Sequence, residues 1–417
     1  MIIMSENKNS LAKNMLWNTI GNLVYSICQW VMTILVVRID SYGSAGILSI
    51  AMSTSSTFST IAMFSMRNYQ VSDLKQEFHD AEYLGSRIIT CIGAMIMCSI
   101  YAISSSSIYQ MLCIDAFMLI RIAESIVDVI HGIDQKYNRY DIIGKSFLIR
   151  GIATDVTFIG GYLFFNSLLF SLILVGITNT IIVIMYDIRK TEKLEKLSFI
   201  INDKHILTLF KKCTPIVITS FALSMIPLVS KTTIQNFLGN DVLGVYSSIA
   251  SPTLVVQIFA TYAFNPLIPR IAKLYMQKKY DEFLQAFHKI LLIFVIFSLI
   301  TCLGAILLGR FGLKILYGDS ILSSYYLFMP LVCCTIFTAL IWIMNSIVTS
   351  IRKITPMMIT VIVGFIICFL FSNYFVNIFG ANGASYIQVL CYILILIVLL
   401  LIVLITIRKD KRRMQNK

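Results

Sequence analysis

Apolar runs of about 20 residues, the length that crosses a bilayer as a helix, recur through this chain with only short polar gaps between them. They fall near residues 14–37, 43–65, 84–104, 107–132, 141–163, 167–187, 213–237, 243–266, 287–308, 321–348, 355–376 and 383–407. A chain that is 58% hydrophobic and 13% charged, with mean hydropathy +0.82, lies far from the roughly 25% charge of a soluble domain. The expectation is an all-α integral membrane protein with twelve transmembrane helices.

The basic residues orient these runs. Of 34 Lys and Arg, 29 lie in the N-terminal segment, the C-terminal tail and alternate gaps, including the helix entrances Arg87, Lys145, Arg150 and Lys289. The opposite gaps hold three, Arg38, Arg310 and Lys314, while Arg121 and Lys231 fall inside runs. This asymmetry puts both termini in the cytoplasm, and assigns the net charge of +13 to the anionic inner leaflet rather than to nucleic acid. The polar start MIIMSENKNS, followed by a run of spanning length, reads as a chain without a cleavable signal peptide.

Between runs six and seven lies the longest polar insert, Asp187–Lys212, with seven basic residues. It divides the chain into an expected N-terminal lobe (1–190), a linker (191–212) and a C-terminal lobe (213–417). A weak internal repeat supports equal halves: MFSMRNYQVSDLKQEFHDAEYLGSR follows run two, FNPLIPRIAKLYMQKKYDEFLQAFHK follows run eight, and Arg67 corresponds to Arg270.

Run four is the unusual one. Arg121, Glu124, Asp128 and His131 are spaced i, i+3, i+7, i+10, which gathers them within about 80° of one helix face. Unpaired charges cost several kcal/mol in hydrocarbon, so this stripe faces other helices or a water-filled cavity. Two readings remain: the charges pair across helices and hold the bundle together, or they line a transport site and couple it to an ion. On the second reading Glu124 and Asp128, two like charges one turn apart, are the candidate ion-coupling pair with His131. With only Arg121 as a cation in the stripe, Asp128 is the expected proton carrier unless Arg150 or Lys145 reaches it.

Run ten repeats that spacing with neutral chemistry at Thr335, Thr338, Trp342, Asn345 and Thr349. An indole, an amide and hydroxyls suit sugar rings and hydroxyls, although Trp342 also fits an interfacial aromatic belt. In run one, Asn18, Asn22 and Gln29 are candidate sugar contacts on the same grounds. Lys231, in run seven with Ser220, Ser224 and Gln235 on its face, is a candidate anion contact or a snorkelling cation. The ten cysteines, at 28, 91, 98, 113, 213, 302, 333, 334, 368 and 391, read as small buried hydrophobes. Neither a metal nor a cofactor is expected.

The chain resembles the polysaccharide flippase family, exporters of O-antigen and capsule repeat units within the multidrug/oligosaccharidyl-lipid/polysaccharide exporter superfamily. The resemblance is carried by the asparagine-rich first run after Lys13, by RIAESIVDVIHGIDQKYNRYDIIGKSFLIRG (121–151), by KTTIQNFLGNDVLGVYSSIAS (231–251) and by NPLIPRIAKLY (265–275). It implies two six-helix lobes with a site between them, alternating access, and a polyprenyl-diphosphate-linked oligosaccharide as cargo in a bacterial cytoplasmic membrane. Membrane lipids and other polysaccharide-assembly membrane proteins are the further partners it suggests. Because a diphosphate needs cations, Arg38, Arg121, Arg150 and Lys231 are its candidate contacts. The family often carries an acidic residue before the basic one in run seven; here the pair is Ser230-Lys231. The competing readings are a drug/cation antiporter of the related extruder type, kept open by Glu124 and Asp128, and a membrane polysaccharide polymerase or glycosyltransferase, which the short external gaps argue against.

Overall fold

The computed structural model describes residues 8–73, 77–201 and 203–415. Among the described residues every regular element is helical. The first helices are α1 (Lys8–Ile39), α2 (Tyr42–Met63), α3 (Met66–Ser72), α4 (Asp80–Ser105), α5 (Ile108–Lys136) and α6 (Tyr140–Phe165). There follow α7 (Leu168–Ile182), α8 (Arg189–Thr191), α9 (Asp203–Leu238), α10 (Asn240–Ala250) and α11 (Leu254–Phe264). The chain continues with α12 (Ile268–Met276), α13 (Tyr280–Tyr317), α14 (Phe328–Ser350), α15 (Ile354–Phe379) and α16 (Ala381–Gln415). Each of the twelve apolar runs coincides with one of these helices or with a joined pair.

Among the described residues, eleven helical segments are long and apolar enough to cross a membrane. The twelfth, α5, has 29 residues, about 44 Å of helix, and departs from the others because Asp115, Arg121, Glu124 and Asp128 interrupt its apolar run. Run eight is not one helix: Pro252, which lacks an amide hydrogen, sits in a 3₁₀ turn, Ser251–Thr253, between α10 and α11. The two stretches of the internal repeat both form a short helix after a span, α3 carrying Arg67 and α12 carrying Arg270.

Two compact units emerge, one built from residues up to Ile39 with Ile47–Val217, the other from Asp40–Gly46 with Ile218–Lys417. In the first, α1 lies so close to α6 that a Cβ on Gly144 would run into the Trp17 carbonyl, and one on Gly21 into the Gly144 carbonyl. Small residues permit such approach between helices in a membrane. The consequence is that polar side chains of α1 reach the interior of this unit. The linker segment lies on the same unit, where Ile200 N–H donates to the Ala81 carbonyl at 3.1 Å and Tyr137 donates to Glu195 at 3.2 Å. Lys212 bonds Glu77 at 2.5 Å, which holds the Glu77 carboxyl below the usual carboxylate range.

In the second unit, α13 is the most lipid-exposed span, as its uniform apolarity implies. The apolar span of α16, uncharged up to Arg408, is more enclosed: Ala384, Ser385, Gln388, Cys391 and Tyr392 are buried. Ser385 bonds the Tyr246 hydroxyl at 2.9 Å, so small and hydroxylated residues at its start draw α16 inward on one face while the other remains exposed.

Candidate functional site

Arg121, Glu124, Asp128 and His131 share a face of α5, but they meet different neighbours at three levels. Ten residues separate Arg121 from His131, about 15 Å along the helix axis, so each level of the stripe finds its own partners.

At the first level Arg121 Nη1 donates to Glu124 Oε2 at 2.6 Å, and the Tyr25 hydroxyl of α1 donates to Glu124 Oε1. Gln29 Nε2 donates in turn to the Tyr25 hydroxyl at 3.3 Å. Arg150 of α6 stacks on this group, its guanidinium 5.6 Å from the Tyr25 ring centroid and 5.1 Å from that of Phe147. The Arg150 side chain is 1% exposed, yet its Nε and Nη1 have no hydrogen-bond partner, and neither has Arg121 Nε. Buried donors are ordinarily satisfied because leaving them unpaired costs about 1–3 kcal/mol each, more when charged. Two guanidinium groups thus hold spare N–H donors, backed by the rings of Phe117, Tyr25 and Phe147, of the kind that oxygen acceptors satisfy.

At the second level Asp128 is held by Arg87 Nη2 at 3.0 Å and by Arg67 Nη1 at 3.5 Å. The local backbone explains how a buried arginine comes to be there. Phe64 and Ser65 both adopt left-handed φ angles, 47° and 52°, and end α2 before α3 begins. The Ala62 carbonyl, which Met66 N–H would take in a continuous helix, instead accepts from Arg87 Nη1 and from the Thr90 hydroxyl, each at 2.8 Å. The expectation that Asp128 lacks a cation unless Arg150 or Lys145 reaches it does not hold: Arg87 and Arg67 supply two, while Lys145 approaches Asp141 at 3.8 Å.

At the third level His131 Nε2 and Asp187 Oδ1 share a hydrogen bond of 3.1 Å, and both residues are buried. Asp187 reaches it because α7 ends in a π-helical turn, Val183–Ile188. Such turns reset which face a residue presents. His131 also sets its ring edge-on to Phe147, 5.4 Å between centroids.

The remaining candidates lie apart from this cluster. Asn22 Nδ2 bonds Asn18 Oδ1 at 2.9 Å, so these two amides pair along α1. Arg38 is exposed at the end of α1. In the second unit, Lys231, Ser220, Ser224 and Gln235 are all half-buried along α9. Trp342 is 56% exposed, and Asn345, half-buried one turn on, has an Oδ1 atom without a hydrogen-bond partner. Among the described residues no His, Cys, Asp and Glu side chains gather as a metal site.

Four residues of the cluster escape a reading of runs alone. Tyr25 had a signal, since it continues the α1 row Asn18, Asn22, Tyr25, Gln29 at i, i+4, i+7, i+11. Arg87 reads as a loop-facing entrance charge and Asp187 as the first residue of the polar insert. Asp155 of α6 looks like an isolated acid. Its Oδ1 is buried without a partner, and the Cys28 thiol donates to the carboxylate.

No family model matches the chain. The capsular polysaccharide biosynthesis protein CapF of Staphylococcus aureus is 23% identical to it over 315 residues, which is 74% of this chain and 78% of that protein. The lipid II flippase MurJ, in an inward closed conformation, superposes with a TM-score of 0.70 at 15% identity, covering 93% of this chain and 87% of MurJ. The multidrug transporter DinF-BH gives 0.67 at 13% identity over 96% of each chain. The chain therefore shares the all-helical, multi-pass membrane fold of the lipid II flippase and the multidrug transporter, and in sequence it is similar to a capsular polysaccharide biosynthesis protein.

Proposed function

We propose that this protein is a flippase that moves polyprenyl-diphosphate-linked oligosaccharide repeat units from the inner to the outer leaflet of a bacterial cytoplasmic membrane, for O-antigen or capsule synthesis. The observation that carries this reading is Arg150, a fully buried guanidinium with two unpartnered N–H groups beside Arg121. A diphosphate offers the oxygen acceptors that such a pair lacks. The reaction is translocation by alternating access, without covalent chemistry. The test is transport of a radiolabelled lipid-linked oligosaccharide in proteoliposomes, with and without imposed ion gradients. Protein that binds such a lipid but never moves it, or hydrolyses it, would overturn the reading.

Orientation is part of the proposal. With 29 of 34 basic residues on one side, reporter fusions after Lys190 and after Lys409 are both expected to report cytoplasm. A periplasmic signal from either contradicts the topology.

In the second unit, Trp342 and Asn345 are the proposed sugar contacts. Trp342 is exposed, so its truncation leaves no large cavity. Asn345 offers an acceptor with no internal partner. Trp342→Ala and Asn345→Ala are each expected to lower glycan export several-fold while membrane abundance stays near normal. Abundance falling in parallel with export would make them packing residues instead.

A second reading, a drug/cation antiporter, draws on Asp155. Among the described residues it has no ion-pair partner, and a half-buried carboxylate without a cation in a membrane span is what a cationic solute would seek. Efflux of a cationic dye that Asp155→Asn abolishes, with no transport of lipid-linked sugar, would favour it.

A further inference from the structure

The far end of α16 carries a surface that the proposed transport cycle does not use. Leu394, Val398, Leu401 and Ile405 are all exposed and step along the helix by four, three and four residues. Arg408 and Arg412 continue the same line by three and four. Five turns of helix separate Leu394 from Arg412, so the line returns to the same angular position. An apolar stripe thus ends in two guanidinium groups one turn apart.

At that end the second unit forms a groove of about 1070 Å³, lined by Lys278, Tyr280, Arg408, Lys409, Arg412 and Arg413. Ile405, Met414 and the Asp410 carboxylate complete it. Lys278 is brought in by a left-handed residue, φ 59°, in the turn between α12 and α13. Asp410, in the lining, accepts from the Tyr275 hydroxyl at 2.9 Å, and Asp281 nearby accepts from Lys411 at 2.5 Å. Among the described residues, none of the five groove cations is ion-paired. Five cations against the single carboxylate of Asp410, continuous with an exposed apolar stripe, fit an amphiphile with an anionic head.

We propose that this groove is a binding site for an anionic membrane phospholipid, with its phosphodiester on Arg408, Arg412 and Lys278 and an acyl chain along Ile405, Leu401 and Val398. The two guanidinium groups one turn apart supply paired donors, and Tyr280 closes the groove beside them. Lys411, turned to Asp281, takes no part.

The test is native mass spectrometry of the full chain in mild detergent, titrated with phosphatidylglycerol or with phosphatidylethanolamine. The first phosphatidylglycerol is expected to bind about tenfold or more tightly than phosphatidylethanolamine, and Arg408→Gln with Arg412→Gln to remove that preference. Two controls keep the fold and the net charge in view: Lys411→Gln, and the charge-matched pair Lys190→Gln with Lys193→Gln in the linker. Both are expected to retain the preference, and melting temperatures are compared for all variants. An equal loss in the linker pair would show only diffuse surface charge and overturn the site. Displacement of phosphatidylglycerol from the groove by equimolar polyprenyl diphosphate would overturn the assignment to a membrane phospholipid. The proposed cargo reading has its own assay and stands or falls independently.

Discussion

Replacing Arg150 by Gln is expected to reduce transport of lipid-linked oligosaccharide by about a hundredfold or more. Hydrogen bonds to charged groups contribute about 1.5–3 kcal/mol each, and Arg150 has two buried donors, Nε and Nη1, without partners. If the cargo diphosphate takes both, their loss is worth at least about 3 kcal/mol, and each 1.4 kcal/mol is tenfold in affinity. Arg150→Lys keeps the charge but not the planar fork that two phosphate oxygens can share, and it gives up stacking on Tyr25 and Phe147. It should fall between wild type and Gln. Arg150→Met retains an apolar stem between those rings, so its folded yield separates packing from anion contact. The measurements are binding of polyprenyl diphosphate, transport in proteoliposomes and the amount of folded protein. Arg150→Gln protein that transports normally would sink the assignment, and a common fall in folded yield across all three variants would make Arg150 a packing element.

The spans were readable in the sequence because about 20 apolar residues in succession have few alternatives to a membrane helix. The stripe on α5 was readable because helical spacing determines which side chains share a face. Their partners were not. Spacing within one helix says nothing about which neighbour stands at each level, and here Tyr25, Arg87 and Asp187 come from three other segments of the chain. Arg87 was hidden by its position: a cation near a loop entrance looks like an orienting charge, and nothing local shows that Phe64 and Ser65 will turn left-handed and release the Ala62 carbonyl to it. Asp187 was hidden by the π-helical turn, which shifts the register that a regular helix would give. The apolar span of α16 is even in hydropathy, yet its inner face is set by small residues that hydropathy does not weigh.

Truncating Arg87 to Ala is expected to be the most damaging single change to the first unit. Arg87 is 1% exposed and serves Asp128 and the Ala62 carbonyl together. Removing one partner of a buried ion pair typically costs about 3–5 kcal/mol, because the remaining charge stays buried without compensation. Here Arg67, at 3.5 Å from Asp128, offsets part of that loss, whereas the Ala62 carbonyl keeps only the Thr90 hydroxyl. Thermal stability in detergent and membrane abundance should both fall steeply. Replacing the pair together, Arg87→Met with Asp128→Leu, should recover much of the stability, since a buried ion pair and a well-packed apolar pair are often close in free energy. The same geometry bears on ion coupling. A carboxylate bridged to two arginines ties α5 to its neighbours, so Asp128→Asn should lower stability while transport keeps its response to an imposed pH gradient. A proton carrier is better sought at Asp155, which has no ion-pair partner among the described residues. If folded Asp128→Asn protein instead transports at a rate indifferent to the gradient, the proton passes through Asp128, and the two arginines serve to release it rather than to hold the bundle.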